Sequence, residues 1–143
     1  MARVFPLSGL LRLRQLQQDQ AASELAAANA RLRESRVRRD RARGALGATS
    51  ADATSVEALY ALAAARASTR SMLADLDALG RHHETGVQQA QAAFDLARAS
   101  AVGLEKLAAR HAEEAAREER HEEQVVLDEI ASTGWHRDQE AGR

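Results

Sequence analysis

Apolar residues recur at alternating three- and four-residue intervals along two long tracts of the chain. In the first tract nine of thirteen such positions are apolar, and in the second thirteen of twenty are. A seven-residue repeat sustained over this length is typical of a left-handed coiled coil. The core positions are Val4, Leu7, Leu11, Arg14, Gln18, Ala21, Leu25, Ala28, Leu32, Ser35, Arg39, Ala42 and Leu46 in the first tract, and Leu59, Leu62, Arg66, Thr69, Leu73, Leu76, Gly80, His83, Val87, Ala90, Phe94, Ala97, Ala101, Leu104, Ala108, His111, Ala115, Glu118, Glu122 and Val125 in the second.

The tracts are separated by residues 47–55, which are mostly small or polar and favour a loop. Thr54 and Glu57 have the spacing of a capping box that would start the second helix. Pro6 suits the first turn of helix one, and Gly134 suits the end of helix two. The pattern therefore predicts one coiled-coil domain over residues 1–143, with helix one at about 7–46, a loop at 47–55, helix two at about 56–132 and a flexible tail at 133–143.

Two glycines, Gly80 and Gly86, enclose a double histidine inside the second tract. Each glycine costs a helix about 1 kcal/mol relative to alanine, and a turn here would give a three-helix bundle. However, the heptad phase runs from Leu73 through Gly80 to Val87 and Phe94 without a skip, whereas a true loop usually resets the phase. This continuity favours one continuous second helix.

The composition supports an all-α fold. The 33 alanines and 17 leucines far outnumber the seven valines and one isoleucine, a balance that argues against a sheet-based fold. We predict an antiparallel two-helix coiled coil with a longer second helix. Folding about the loop should bring residue 46 near residue 56 and residue 7 near residue 95, which leaves helix two without a partner beyond about Ala97. An isolated helix is marginally stable in water, so this overhang indicates a binding partner.

Charge and cysteine content restrict the function further. Residues 1–50 carry a net charge of +6 and residues 101–143 a net charge of −5. The absence of cysteine rules out a disulfide scaffold, a thiolate zinc site and cysteine catalysis. Because no stretch approaches a transmembrane segment or a signal peptide, we expect a cytosolic protein.

Three clusters of side chains are candidate chemical sites. Glu118, His121 and Glu122 share a helical face and could bind a divalent metal, but a charged stripe of ion pairs explains them better. His83 falls on the seam, where a register-setting polar residue is expected rather than a catalytic base. Seven arginines between residues 31 and 43 suggest nucleic-acid binding, yet they surround the helix and lack stacking aromatics. We therefore expect no enzyme activity, cofactor, metal, small-molecule or nucleic-acid ligand; the alternative function is a nucleic-acid-associated or cytoskeletal coiled coil.

Several short motifs resemble those of the flagellar FliJ family. Residues 5–14 fit an F-x-L-x-x-L-L-x-x-R pattern, and residues 22–28 contain the E-L-A that follows it. In the second half, residues 104–110 and 127–131 resemble the family's L-E-K-L and D-E-x-A tail. The spacing, the loop position and the total length agree with the family, so the resemblance covers nearly the whole chain.

The resemblance implies a non-enzymatic stalk and chaperone of the flagellar type III export apparatus. It would bind a FliI-like export ATPase ring and a FlhA-like export gate protein, with export chaperones as further candidate partners and a homo-oligomer also open. The protein would be cytoplasmic and peripherally associated with the flagellar basal body at the inner membrane. The gate-facing segment, early in helix two, would include Tyr60. The ATPase-facing end would include Leu7, Leu10, Leu11, Arg12, Arg14, Glu118, Glu122 and Val125.

Overall fold

The computed structural model describes residues 4–49 and 52–141, with side chains as far as residue 135. Two helices account for nearly all of these residues: α1, Ser8–Ala48, and α2, Val56–Ala141. α2 passes through Gly80 and Gly86 without a break, and neither glycine has a positive φ. The predicted continuous second helix is therefore confirmed.

The heptad positions form the seam between the helices. On α1, every predicted core position from Leu11 to Leu46 is buried or half-buried, and on α2 the same holds from Leu62 to Ala115. Buried alanines such as Ala28 and Ala101 allow the helix backbones to approach closely. Leu32 is the largest buried residue of the described chain, so each layer contributes only modest hydrophobic stabilisation.

The contacts divide the chain into two compact units. One contains residues 16–98, in which Arg36 lies 3.5 Å from Glu84 and Arg39 lies 3.9 Å from Asp77. The residue number of the contact partner on α2 decreases as the residue number on α1 increases, so the two helices are antiparallel. The predicted all-α antiparallel two-helix coiled coil with a longer second helix is confirmed, whereas the assignment of one domain remains a prediction.

The other unit combines residues 1–15 with residues 99–143. In its described part, the amide of Gln15 donates a hydrogen bond to the carboxylate of Glu105 at 3.2 Å. The ring of Phe5 meets His111 edge-on, with the ring centroids 5.5 Å apart. Within this unit the pairing is also antiparallel, and it includes residues just before α1.

The predicted register was wrong by roughly two heptads. Residue 7 was expected near residue 95, but Phe5 lies against His111. At the loop end the offset is visible directly, because the guanidinium of Arg66 donates to the carbonyl of Thr49 at 3.3 Å and so places the end of α1 ten residues into α2. Ten helical residues rise about 15 Å, a distance that a seven-residue extended segment can span. On α2 the half-buried heptad positions end at Ala115 rather than near Ala97.

The ends of the helices also differ from the prediction. α2 is capped by Ser55 rather than Thr54, since the Ser55 hydroxyl accepts a hydrogen bond from the amide of Ala58 at 3.1 Å. Gly134 does not end α2, because it lacks the left-handed conformation of a C-terminal glycine cap and the helix continues to Ala141. Most of the predicted tail at 133–143 is therefore helical.

Candidate partner-binding surfaces

The start of the chain is held against α2 but keeps several leucines in contact with solvent. Leu7, Leu10 and Leu13 are 41%, 39% and 49% exposed, whereas Leu11 is half-buried at the seam. Val4 and Leu7 were expected in the seam, but both are exposed and Phe5 makes the ring contact instead. A second helix can cover only one face of α1, so the remaining leucines are available to a partner.

Two arginines near this end, which the sequence assigns to the ATPase contact, have different environments. Arg12 is exposed, whereas Arg14 is half-buried at a seam position and has an interaction of its own. A charged side chain at a seam position keeps its guanidinium at the edge of the interface and packs its aliphatic part inside. Arg12 is therefore the more accessible of the two cations.

Beyond the seam, α2 is exposed on every side. Every residue from 116 to 135 is exposed, and we call residues 119–135 the overhang. Its hydrogen bonds are local, such as that from Gln124 to Asp128 at 2.9 Å. Of the predicted contact residues, Glu118 immediately precedes the overhang, and Glu122 and Val125 lie within it, with Val125 50% exposed.

The overhang also exposes large apolar side chains to which the seam pattern assigned no role. They are Val126, Leu127, Ile130 and Trp135, which are 54–70% exposed. Val126 and Leu127 line a surface depression together with Glu119, Glu122 and Glu123. The sequence contains a sign of this apolar surface, because large apolar residues cluster at 125–130 and only Val125 among them occupies a heptad position.

A separate apolar surface lies at the loop end of residues 16–98. Val56, Leu59 and Tyr60 are 64%, 56% and 75% exposed, and we call these three residues the loop-end face. They are exposed because α2 begins beyond the end of α1, as the bond between Arg66 and Thr49 shows. Leu59 was expected in the seam, but α1 does not reach it.

The interior of residues 16–98 contains a polar layer. Ser35 is buried, Gly80 faces it, and a cavity of about 130 Å³ adjoins both residues. Arg39 reaches Asp77 with one terminal nitrogen, while its buried Nε has no hydrogen-bond partner. This layer interrupts the apolar layers of the seam with a hydroxyl, a guanidinium and a carboxylate.

The arginine run is only partly neutralised. Arg36, Arg38 and Arg39 each lie within 4 Å of a carboxylate, at Glu84, Glu34 and Asp77 among others. The remaining arginines of the run, Arg31, Arg33, Arg41 and Arg43, are exposed and project around α1 rather than along one stripe.

The candidate metal and histidine clusters have simple environments. Across the described residues, no group of three or more histidine and acidic side chains could hold a metal ion. His83 is half-buried at the seam, and its ring lies 5.8 Å from that of exposed His82. Within the same residues, neither helix has a segment apolar and long enough to span a membrane.

Comparison with known proteins decides the family. The family model for the flagellar FliJ protein matches residues 3–140, nearly the whole chain. The chain belongs to the flagellar FliJ family. As a FliJ-family member it is a coiled-coil protein associated with flagellar export, and protein transport and motility follow from that membership. No curated protein and no solved structure matches it.

Proposed function

We propose that this FliJ-family protein is a non-enzymatic stalk and chaperone that binds the export ATPase ring and couples it to the export gate. The observation that carries this proposal is the overhang, a single helix whose large apolar side chains have no partner within the described chain. An isolated helix of this kind is marginal in water, and packing against a second surface would stabilise it. Family membership supports a partner in the flagellar export machinery.

The ATPase-facing surface would combine the overhang with the leucines at the start of the chain. Leu7, Leu10 and the seam residue Leu11, with Arg12 and Arg14, belong to the same compact unit as Glu118, Glu122 and Val125. A two-helix element is asymmetric, so it contacts the subunits of a ring unequally. Unequal contact energy would favour different nucleotide states in different subunits, which is how a passive stalk can influence ATP hydrolysis.

The gate-facing surface would be the loop-end face. Tyr60 is 75% exposed and has exposed Val56 and Leu59 beside it. Tyrosine is enriched at protein interfaces because it buries a large area at a small entropic cost. Such contacts would place the protein at the inner membrane, at the base of the flagellum, with export chaperones as additional partners.

The experiment measures binding of the full-length chain to the cognate export ATPase, together with the ATPase rate. Leu127→Ser/Ile130→Ser should weaken binding at least about tenfold, since losing about 1.4 kcal/mol of apolar burial has this effect. Leu107→Ser, on the outer side of the paired part of α2 and 46% exposed, is the matched control and should bind normally. A wild-type chain that neither binds the ATPase nor changes its rate would refute the proposal.

The gate contact is tested separately with the cognate export gate protein. Tyr60→Ala should weaken gate binding while ATPase binding is retained, because Tyr60 lies in the other compact unit from the overhang. Met72→Ala, which alters an apolar side chain 48% exposed on another face of α2, is the control. Equal gate affinities for Tyr60→Ala and the wild type would exclude the loop-end face.

A further inference from the structure

The residues at the heptad positions of α2 change in character beyond Ala115, where the pairing with the start of the chain ends. From Leu62 to Ala115 the frame positions are half-buried or buried and are mostly alanine or leucine. The same frame continues into the overhang as Glu122, Val125 and Glu129, all of them exposed. A protein that packs on these positions of the overhang, as α1 packs on the earlier ones, would therefore contact carboxylates in addition to Val125.

The acidic side chains of the overhang have little cationic charge near them within the described chain. The overhang contains five acidic side chains and a single arginine, Arg120, whose Nε donates to its own helix at the carbonyl of Ala116. Within the described residues, Glu119, Glu122 and Glu123 form no ion pair. These three glutamates are spaced i, i+3 and i+4, a spacing at which like charges on a helix repel one another.

The apolar part of the overhang lies directly beside this charge. Val126 and Leu127 line one depression with Glu119, Glu122 and Glu123. An occupant of the depression must therefore offer an apolar side chain flanked by cations. A second copy of the overhang fits poorly, because each copy contains five acidic side chains and only one arginine, Arg120, and so supplies few cations to the other.

We infer that the overhang binds a basic amphipathic segment of the export ATPase, in which arginine or lysine side chains flank an apolar residue. Charge complementarity supports this occupant: cations placed at Glu119, Glu122 and Glu123 relieve their mutual repulsion while the apolar residue covers Val126. The inference rests on the proposed function and specifies the chemistry of the surface that the ATPase presents.

The test compares single charge reversals in the full-length chain by its affinity for the export ATPase. Glu122→Lys should weaken binding at least about tenfold at an ionic strength of about 0.1 M, with Glu122→Gln intermediate. Glu114→Lys changes the net charge equally on an exposed face of α2 outside the heptad frame, and should stay within about twofold of the wild type. Raising the ionic strength to about 1 M shortens the screening length from about 10 Å to about 3 Å and should remove most of the difference.

The outcomes separate this inference from the proposed function. Wild-type binding with equal effects of Glu122→Lys and Glu114→Lys would overturn the inference and leave the ATPase partnership intact. No wild-type binding at any ionic strength would overturn both. A wild-type chain that dimerises alone, with a dimer that Val126→Ser disrupts, would show that a second copy occupies the overhang and would also overturn the inference.

Discussion

Replacing the two central glycines of α2 by alanine should stabilise the protein. Gly80 and Gly86 are helical, and alanine is favoured over glycine in a helix by about 1 kcal/mol per residue. A Cβ at Gly80 would lie 3.9 Å from the Ser35 hydroxyl oxygen, an ordinary van der Waals contact. A Cβ at Gly86 would meet nothing within 4 Å. Neither substitution therefore carries a steric cost that offsets the gain.

The two effects should add. The positions are six residues apart, a rise of about 9 Å along the helix, so independent contributions are expected. Gly80→Ala/Gly86→Ala should gain about 2 kcal/mol in the free energy of unfolding and raise Tm by about 4 °C per kcal/mol. Urea denaturation followed by far-ultraviolet circular dichroism measures the free energy, and a thermal scan measures Tm.

Two controls make the measurement decisive. Gly103→Ala, where a Cβ also meets nothing within 4 Å, should give a similar gain of about 1 kcal/mol. Gly80→Pro should cost about 3 kcal/mol, because proline removes a helical hydrogen bond and clashes with the preceding turn. Loss of stability in Gly80→Ala and Gly86→Ala, with a gain in Gly103→Ala, would mean that the chain reverses direction at the double histidine.

Three further substitutions test the seam and the cap, all by urea denaturation. Leu32→Ala should cost about 2–3 kcal/mol because Leu32 is only 8% exposed, whereas Val37→Ala, at a site 48% exposed, should cost much less; equal losses would contradict the observed seam. Arg39→Leu should leave stability unchanged or raise it by about 1 kcal/mol, since it removes a buried Nε without a partner; a clear loss would show that the contact with Asp77 outweighs this cost. Ser55→Ala should cost about 1 kcal/mol, and no change would indicate that another residue caps α2.

The sequence predicted the fold because the seam pattern is strong. Every core position from Leu11 to Leu46, and from Leu62 to Ala115, is at least half-buried, since seven-residue spacing determines which side of each helix faces the other. The continuity of α2 through Gly80 followed from the same phase. These features depend on local periodicity, which a sequence displays directly.

The register and the helix ends were not predictable in the same way. Shifting one helix by a whole number of heptads brings apolar positions of an alanine-rich seam opposite apolar positions again. The pattern therefore cannot distinguish a pairing of Phe5 with residue 97 from the observed pairing of Phe5 with His111. Thr54 and Ser55 are both good capping residues and are adjacent, so the choice between them depends on backbone geometry. The partner contacts of Glu122 and Tyr60 remain predictions, because they depend on surfaces of other proteins.

The connection between the helices works as a spacer. Its seven residues let α2 begin ten residues beyond the end of α1, as the hydrogen bond between Arg66 and Thr49 shows. A shorter connection would force α2 to shift along α1. Because the seam repeats every seven residues, the apolar positions would match again only after a shift of a whole heptad. Each such step would release one more heptad of α2 from pairing with the start of the chain. Deletions in the connection should therefore adjust the reach of the acidic end in discrete increments of about 10 Å, while the interface between the helices keeps its composition.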